Sequence, residues 1–160
     1  MIYLLSEGIQ KGKTTALRLW SENRKDIGGF LTPDKENRRI LLNIHSCVES
    51  PFELDPNDDH EFCVQIGKFN LDKEAFIEIS EEVLEQSYDP KFNYIIIDEI
   101  GKLELQNQGF HQLFENLSSR KDLSSNLIVI VRDSLLDEVI EKYNIYDYKI
   151  ISKNELHHLV

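Results

Sequence analysis

MIYLLSEGIQKGKTT, residues 1–15, carries the reading of the whole chain. Ile2 to Leu5 form an apolar run of strand length, too short for a helix of its own. A polar turn containing Gly8 follows, and Gly12-Lys13-Thr14-Thr15 then opens a stretch with helical spacing. Strand, turn, Gly-Lys-Thr and helix is the layout of a phosphate-binding P-loop. Backbone N–H groups of such a turn point into one concavity, where the helix dipole adds about half a positive charge. The expected nucleotide-binding set is Gly8, Ile9, Gln10, Lys11, Gly12, Lys13, Thr14 and Thr15. Within it, Gly12 lets the backbone approach the phosphates and Lys13 reaches their β and γ oxygens. The Thr14 hydroxyl is a ligand for Mg²⁺.

The full pattern, G-x-x-x-x-G-K-[ST], places a glycine at position 7, where this chain has Glu7 followed by Gly8. A carboxylate facing phosphates repels them. Either the Glu7 side chain points outward while Gly8 supplies the backbone freedom, or the site is weakened.

Composition bounds the rest. A chain of 160 residues fits one domain, spanning residues 1–160. No apolar run approaches 18 residues, and the first residues lack the basic region of a secretory signal. Cys47 and Cys63 are too few for a disulfide framework or a zinc cluster, which suggests a reduced, cytoplasmic protein. The histidines show no ligand spacing, and no membrane partner is expected. A net charge of −11 argues against sequence-independent nucleic-acid binding. Lys11, Lys13 and Arg18 concentrate positive charge locally, so a small polyanion remains a feasible ligand.

Along the chain, Ala16, Leu17, Leu19 and Trp20 continue the first helix. Residues 27–32 read as a strand stopped by Pro33 and the polar stretch DKENRR, and Ile40 to Ile44 as another. Residues 49–60 form a loop or exposed hairpin, and FCVQIGKFNL (62–71) a strand bent at Gly67. Asp72 caps a helix that ends before Asp89-Pro90. Phe92 to Ile97 is apolar on both faces, as a central parallel strand should be. Helices follow at Phe110–Leu117 and at Leu135–Ile140, separated by the buried run LIVIV (127–131), with a last strand at 148–151. Apolar strands alternating with helices mean an α/β fold: a mostly parallel sheet covered on both faces. Residues 27–71 add an antiparallel portion.

Asp98-Glu99 closes the most hydrophobic strand, and ligands of such sheets bind beyond the carboxyl ends of the strands. Asp98 is there the expected Mg²⁺ holder, in the Walker B role, and Glu99 the base that deprotonates the attacking water. Arg132 ends another buried strand. It either contacts the γ-phosphate or pairs with Asp133 or Asp137 at the surface. Lys102, just past the acids, reads more readily as a solvated lysine.

These residues resemble a family. IIIDEIGKLEL (95–105) is similar to the D-E-I-G-K-[ML]-E-L signature of the small nucleoside-triphosphatase family, known in animals as cancer-related nucleoside-triphosphatase. The likeness extends to residues 1–15, to Gly29-Phe30 with Thr32, to Ile66-Gly67 with Phe76, and to Val131-Arg132-Asp133. It implies a RecA-like P-loop fold and Mg²⁺-dependent hydrolysis of nucleoside 5′-triphosphates to diphosphate and phosphate, with loose base preference. It assigns Lys13 and Thr14 to phosphate and Mg²⁺, Asp98 to Mg²⁺, Glu99 to the base, and Arg132 to the γ-phosphate. The chain departs from the family at Glu7-Gly8, an inverted pair, and after Thr32, where it reads PDKEN.

Two other functions fit the same residues. One is a nucleotide-dependent binding module with little hydrolysis, for which Glu7 speaks. The other is a small phosphotransferase, for which Arg24, Arg38, Arg39 and Arg120 form no compact lid pattern. The sequence names no protein partner.

Overall fold

A computed structural model describes residues 1–8, 12–57 and 62–159. Strand β1 (Ile2–Glu7) leads through the loop to helix α1 (Lys13–Ser21), and β2 (Ile27–Leu31) follows. Next come the short strands β3 (Asp34–Lys35), β4 (Arg38–Asn43) and β5 (Glu49–Pro51), then β6 (Cys63–Ile66) and β7 (Phe69–Asp72). Helix α2 (Lys73–Gln86) precedes β8 (Tyr94–Ile100), α3 (Lys102–Leu105), α4 (His111–Ser119) and β9 (Asn126–Arg132). A 3-10 turn, α5 (Leu136–Lys142), β10 (Tyr148–Ile151) and a second 3-10 segment complete the order.

The main sheet runs β10-β1-β9-β8-β2-β4-β3, with β5 on β4. From β10 to β2 every pairing is parallel, and the β2–β4, β3–β4 and β4–β5 pairings are antiparallel. This is the mostly parallel, RecA-like sheet with an antiparallel extension that the sequence led us to expect. Alternation along the strands divides the core. Leu4, Ile95, Ile97 and Val129 pack with α2, α4 and α5 on one face. Leu5, Ile96, Ile128 and Ile130 meet Leu17 of α1 and Leu156 on the other. Helix α2 starts where Asp72 accepts a hydrogen bond from the Glu74 N–H at 2.9 Å, as its sequence suggested. No helix of the described residues is long and apolar enough to cross a membrane.

Two local readings are corrected. FCVQIGKFNL is not one bent strand but a hairpin, with Ile66 opposite Phe69 and a two-residue turn at Gly67-Lys68. Gly67 has φ +56°, a conformation that favours glycine, and it reverses the chain where a bend was expected. The polar stretch DKENRR pairs as β3 with β4 around Glu36-Asn37, both at positive φ, the conformation of the tight hairpin turn. The helix expected over Phe110–Leu117 forms as α4; the short α3, which the sequence reading did not mark, precedes it across a turn in which Asn107 and Gly109 have positive φ.

Close approach explains Gly29. A Cβ there would lie 2.0 Å from the Ile96 carbonyl oxygen, so only glycine lets β2 run against β8 at this point.

Candidate active site

Two strand ends build the site. At the first, Gly12 caps α1 with φ +74°, a left-handed value that favours glycine through the backbone rather than through crowding. Lys13 begins the helix and is buried, and its Nζ donates to the carbonyls of Glu7 at 2.7 Å and Gly8 at 2.9 Å. The ammonium is thus held across the mouth of the loop. Ile9, Gln10 and Lys11 lie outside the described residues.

The second strand end is β8. Its pairing with β9 shifts between Ile97 and Ile100, which takes Asp98 and Glu99 out of the regular ladder, and the peptide between the two acids is cis. Asp98 is 2 % exposed. Its Oδ2 accepts from Thr14 Oγ1 at 2.8 Å and from the Thr32 N–H at 3.0 Å. The start of α1 and the end of β8 therefore meet at hydrogen-bond distance, although β9 lies between β1 and β8 in the sheet. Glu99 Oε1 accepts from Arg132 Nε at 2.9 Å. Arg132 pairs neither with Asp133 nor with Asp137 but with the other acid of the site.

These groups line one cleft of about 480 Å³ with Gly12, Thr15, Arg18 and Arg39. Among the described residues, four of its cations (Lys13, Arg18, Arg39, Arg132) face three acids (Asp34, Asp98, Glu99). The cleft is locally positive in a chain of net charge −11, which suits an anionic ligand. Glu7 does not line it. Strand alternation puts Glu7 on the Leu5 face, which α1 covers, and its Oε2 is buried with no hydrogen-bond partner among the described residues. The residue as a whole is half-buried. Lys102 lies outside the cleft, on the wall of an adjoining pocket.

Burial raises Asp98 from its ordinary value of 3.8 to about 6, against the lowering by Thr32 and Thr14; Glu99 also raises it. The charged form is thus disfavoured in the metal-free fold. With the folded value above the unfolded one, stability present below about pH 4 is lost as pH rises through about 6. The gap corresponds to roughly 3 kcal/mol at neutral pH. Asp98→Asn retains an oxygen for both donors and removes the charge. We expect it to raise the melting temperature in EDTA by roughly 6–12 °C at pH 8 and to leave it unchanged at pH 4. Equal shifts at both pH values would contradict this origin of the cost.

Sequence reasoning missed three contributors. Arg39 reaches the cleft from β4, and its charge acts on Asp98; in the sequence it belonged to a polar run read as a strand stop and to a set of arginines that formed no lid pattern. Thr32 contributes its backbone N–H, which no side-chain pattern signals. Glu104, in the 95–105 block but given no role there, is 4 % exposed and accepts from the Gly101 N–H at 2.9 Å and the Phe110 N–H at 3.0 Å. It ties down the turn that follows Glu99.

The chain matches the model of the NTPase family over residues 3–159. It belongs to that family. Among NTPase relatives, it is 31% identical over 154 residues to nucleoside-triphosphatase THEP1 of Archaeoglobus fulgidus, covering 91% of this chain and 87% of that protein. It is 27% identical over 146 residues to nucleoside-triphosphatase THEP1 of Thermotoga sp., covering 89% and 82%. The crystal structure of THEP1 from the hyperthermophile Aquifex aeolicus superposes with a TM-score of 0.75 at 19% identity, over 100% of this chain and 97% of that one, a likeness of fold.

Proposed function

We propose that this NTPase-family chain is a nucleoside-triphosphatase, splitting nucleoside 5′-triphosphates into diphosphate and phosphate with loose base preference. The observation that carries this reading is the 2.8 Å contact between Thr14 and Asp98, with Glu99 and Arg132 paired beside it in the same cleft. Lys13 exchanges its two carbonyl partners for β and γ oxygens. The helix start and the loop backbone hold the same phosphates. Glu99 accepts the proton of the attacking water, and Arg132 holds Glu99 in place and faces the charge that spreads over the γ oxygens. Arg39 adds a second guanidinium on the cleft wall.

The donor set fits Mg²⁺. It offers one hydroxyl and one buried carboxylate, and no cluster of three or more metal-binding side chains exists among the described residues. Mg²⁺ takes one or two protein oxygens and keeps its remaining positions for water and phosphate. Thr14 and Asp98 would hold it, and it would neutralise charge on the β and γ oxygens. Cys47 and Cys63 are free thiols, consistent with a cytoplasmic setting.

The test is phosphate release from ATP, GTP, CTP and UTP, each with Mg²⁺ and with EDTA. Release from all four only with Mg²⁺ is the expected result. No release from any nucleotide, or equal release in EDTA, would overturn the proposal.

A further inference from the structure

A second cavity opens off the cleft. It has a volume of about 240 Å³ and shares Thr32, Arg39, Asp98, Glu99 and Arg132 with the cleft, yet touches no residue of α1 or its cap. Seen from α1 and its cap, the cavity lies beyond Asp98, Glu99 and Arg132, on the side away from Lys13 and Thr14.

Its walls are of another character. Phe52, Phe76 and Phe110 are buried and packed on one another, with ring centroids 4.8 Å apart for Phe52–Phe76 and 4.6 Å for Phe76–Phe110. Half-buried Phe69, from the β6–β7 hairpin, completes the mouth, with the Arg39 guanidinium 6.0 Å from its ring centroid. Both Glu104 oxygens are occupied by backbone N–H groups of the adjoining turn. Polar atoms thus gather at the cleft end and aromatic surface at the other. A hydrolytic water needs only about 30 Å³, whereas a dry apolar cavity of about 150 Å³ accommodates a benzene ring. The space is larger than one water requires, and part of its wall is aromatic.

We propose that this cavity binds a ring-bearing, uncharged alcohol and that its hydroxyl is a phosphoryl acceptor in place of water. This rests on the hydrolytic reading of the same cleft. The alcohol oxygen forms a bond to the γ-phosphorus and the bond from phosphorus to the β,γ-bridging oxygen breaks. Nucleoside diphosphate leaves, and the hydroxyl proton passes to the Glu99 carboxylate. The ring rests on Phe69, Phe76 and Phe110, which points its hydroxyl arm toward Glu99 and Arg132.

The probe is 2-phenylethanol, with glycerol as the polar control and γ-³²P-ATP as donor to the full chain with Mg²⁺. Label is separated into organic and inorganic phosphate. Burial of the ring predicts at least about tenfold more organic phosphate from 2-phenylethanol than from glycerol at equal concentration. Phe69→Ala, and independently Ile66→Trp, which fills the cavity, should each lower the ratio of organic to inorganic phosphate at least fivefold. That ratio is read within one reaction, so general loss of activity does not imitate it. Label found only in inorganic phosphate, equal transfer to both alcohols, or an unchanged ratio in both variants would overturn the proposal. Failure of the hydrolytic reading is distinct: it shows as no inorganic phosphate without any alcohol.

Discussion

Glu99→Gln is expected to bind nucleotide as the wild type does and to lose at least about tenfold in turnover. The amide has the shape of the carboxylate and keeps an oxygen for Arg132 Nε, which now lies 2.9 Å from Glu99 Oε1. What it loses is the capacity to take a proton from the attacking water. Single-turnover phosphate release, with nucleotide affinity measured separately, divides the two effects. Hydrolysis at the wild-type rate would show that the base is another group. Loss of affinity equal to the loss of rate would show that Glu99 serves the ground state and not the reaction.

Lys13→Ala should abolish nucleotide binding. Lys13 is a buried cation of the cleft, and its Nζ spans two carbonyls at 2.7 and 2.9 Å. In the variant those carbonyls keep their partial negative charge at the place where phosphates must sit, so the substitution removes attraction and leaves repulsion. Charge-assisted hydrogen bonds contribute about 1.5–3 kcal/mol each, and the amine makes two with phosphate oxygens, a loss of at least about a hundredfold in affinity. Equilibrium binding of a labelled nucleotide checks this. Affinity within tenfold of the wild type would place the phosphates elsewhere. Thermal unfolding of the metal-free variant serves as the control, since the two lost hydrogen bonds also bridge the loop.

The sheet was legible in the sequence because its central strands are unusually apolar. Tyr94 to Ile97 and Leu127 to Val131 have no polar face, which only a strand covered on both sides allows. Lys13, Thr14 and Asp98 were legible because loop and acid pair occupy fixed places at strand ends, and the fold brings Thr14 onto Asp98. The remainder depended on contacts between residues distant in sequence. The Arg132 partner, Glu99, is 33 positions away and is set by where the β8–β9 ladder shifts. Arg39 was hidden because the turn that presents it is built from Glu36 and Asn37, residues that read equally well as a solvated loop. The Glu7 side chain followed from β1 extending two residues beyond its apolar run, which gave it a face of the sheet.

The position of Arg39 has a consequence for heat tolerance. It lies on the part of β4 that pairs with β3, a two-residue strand at the sheet's periphery, whereas the central strands are sealed between helical layers. Peripheral ladders fray at a far smaller free-energy cost than a central one. We expect this guanidinium to leave the cleft on warming while the central strands stay paired, so that phosphate release falls at temperatures below the cooperative melt. Release that persists up to the melt would show that the Arg39 ladder holds, through its Glu53 hydrogen bonds as well as β3.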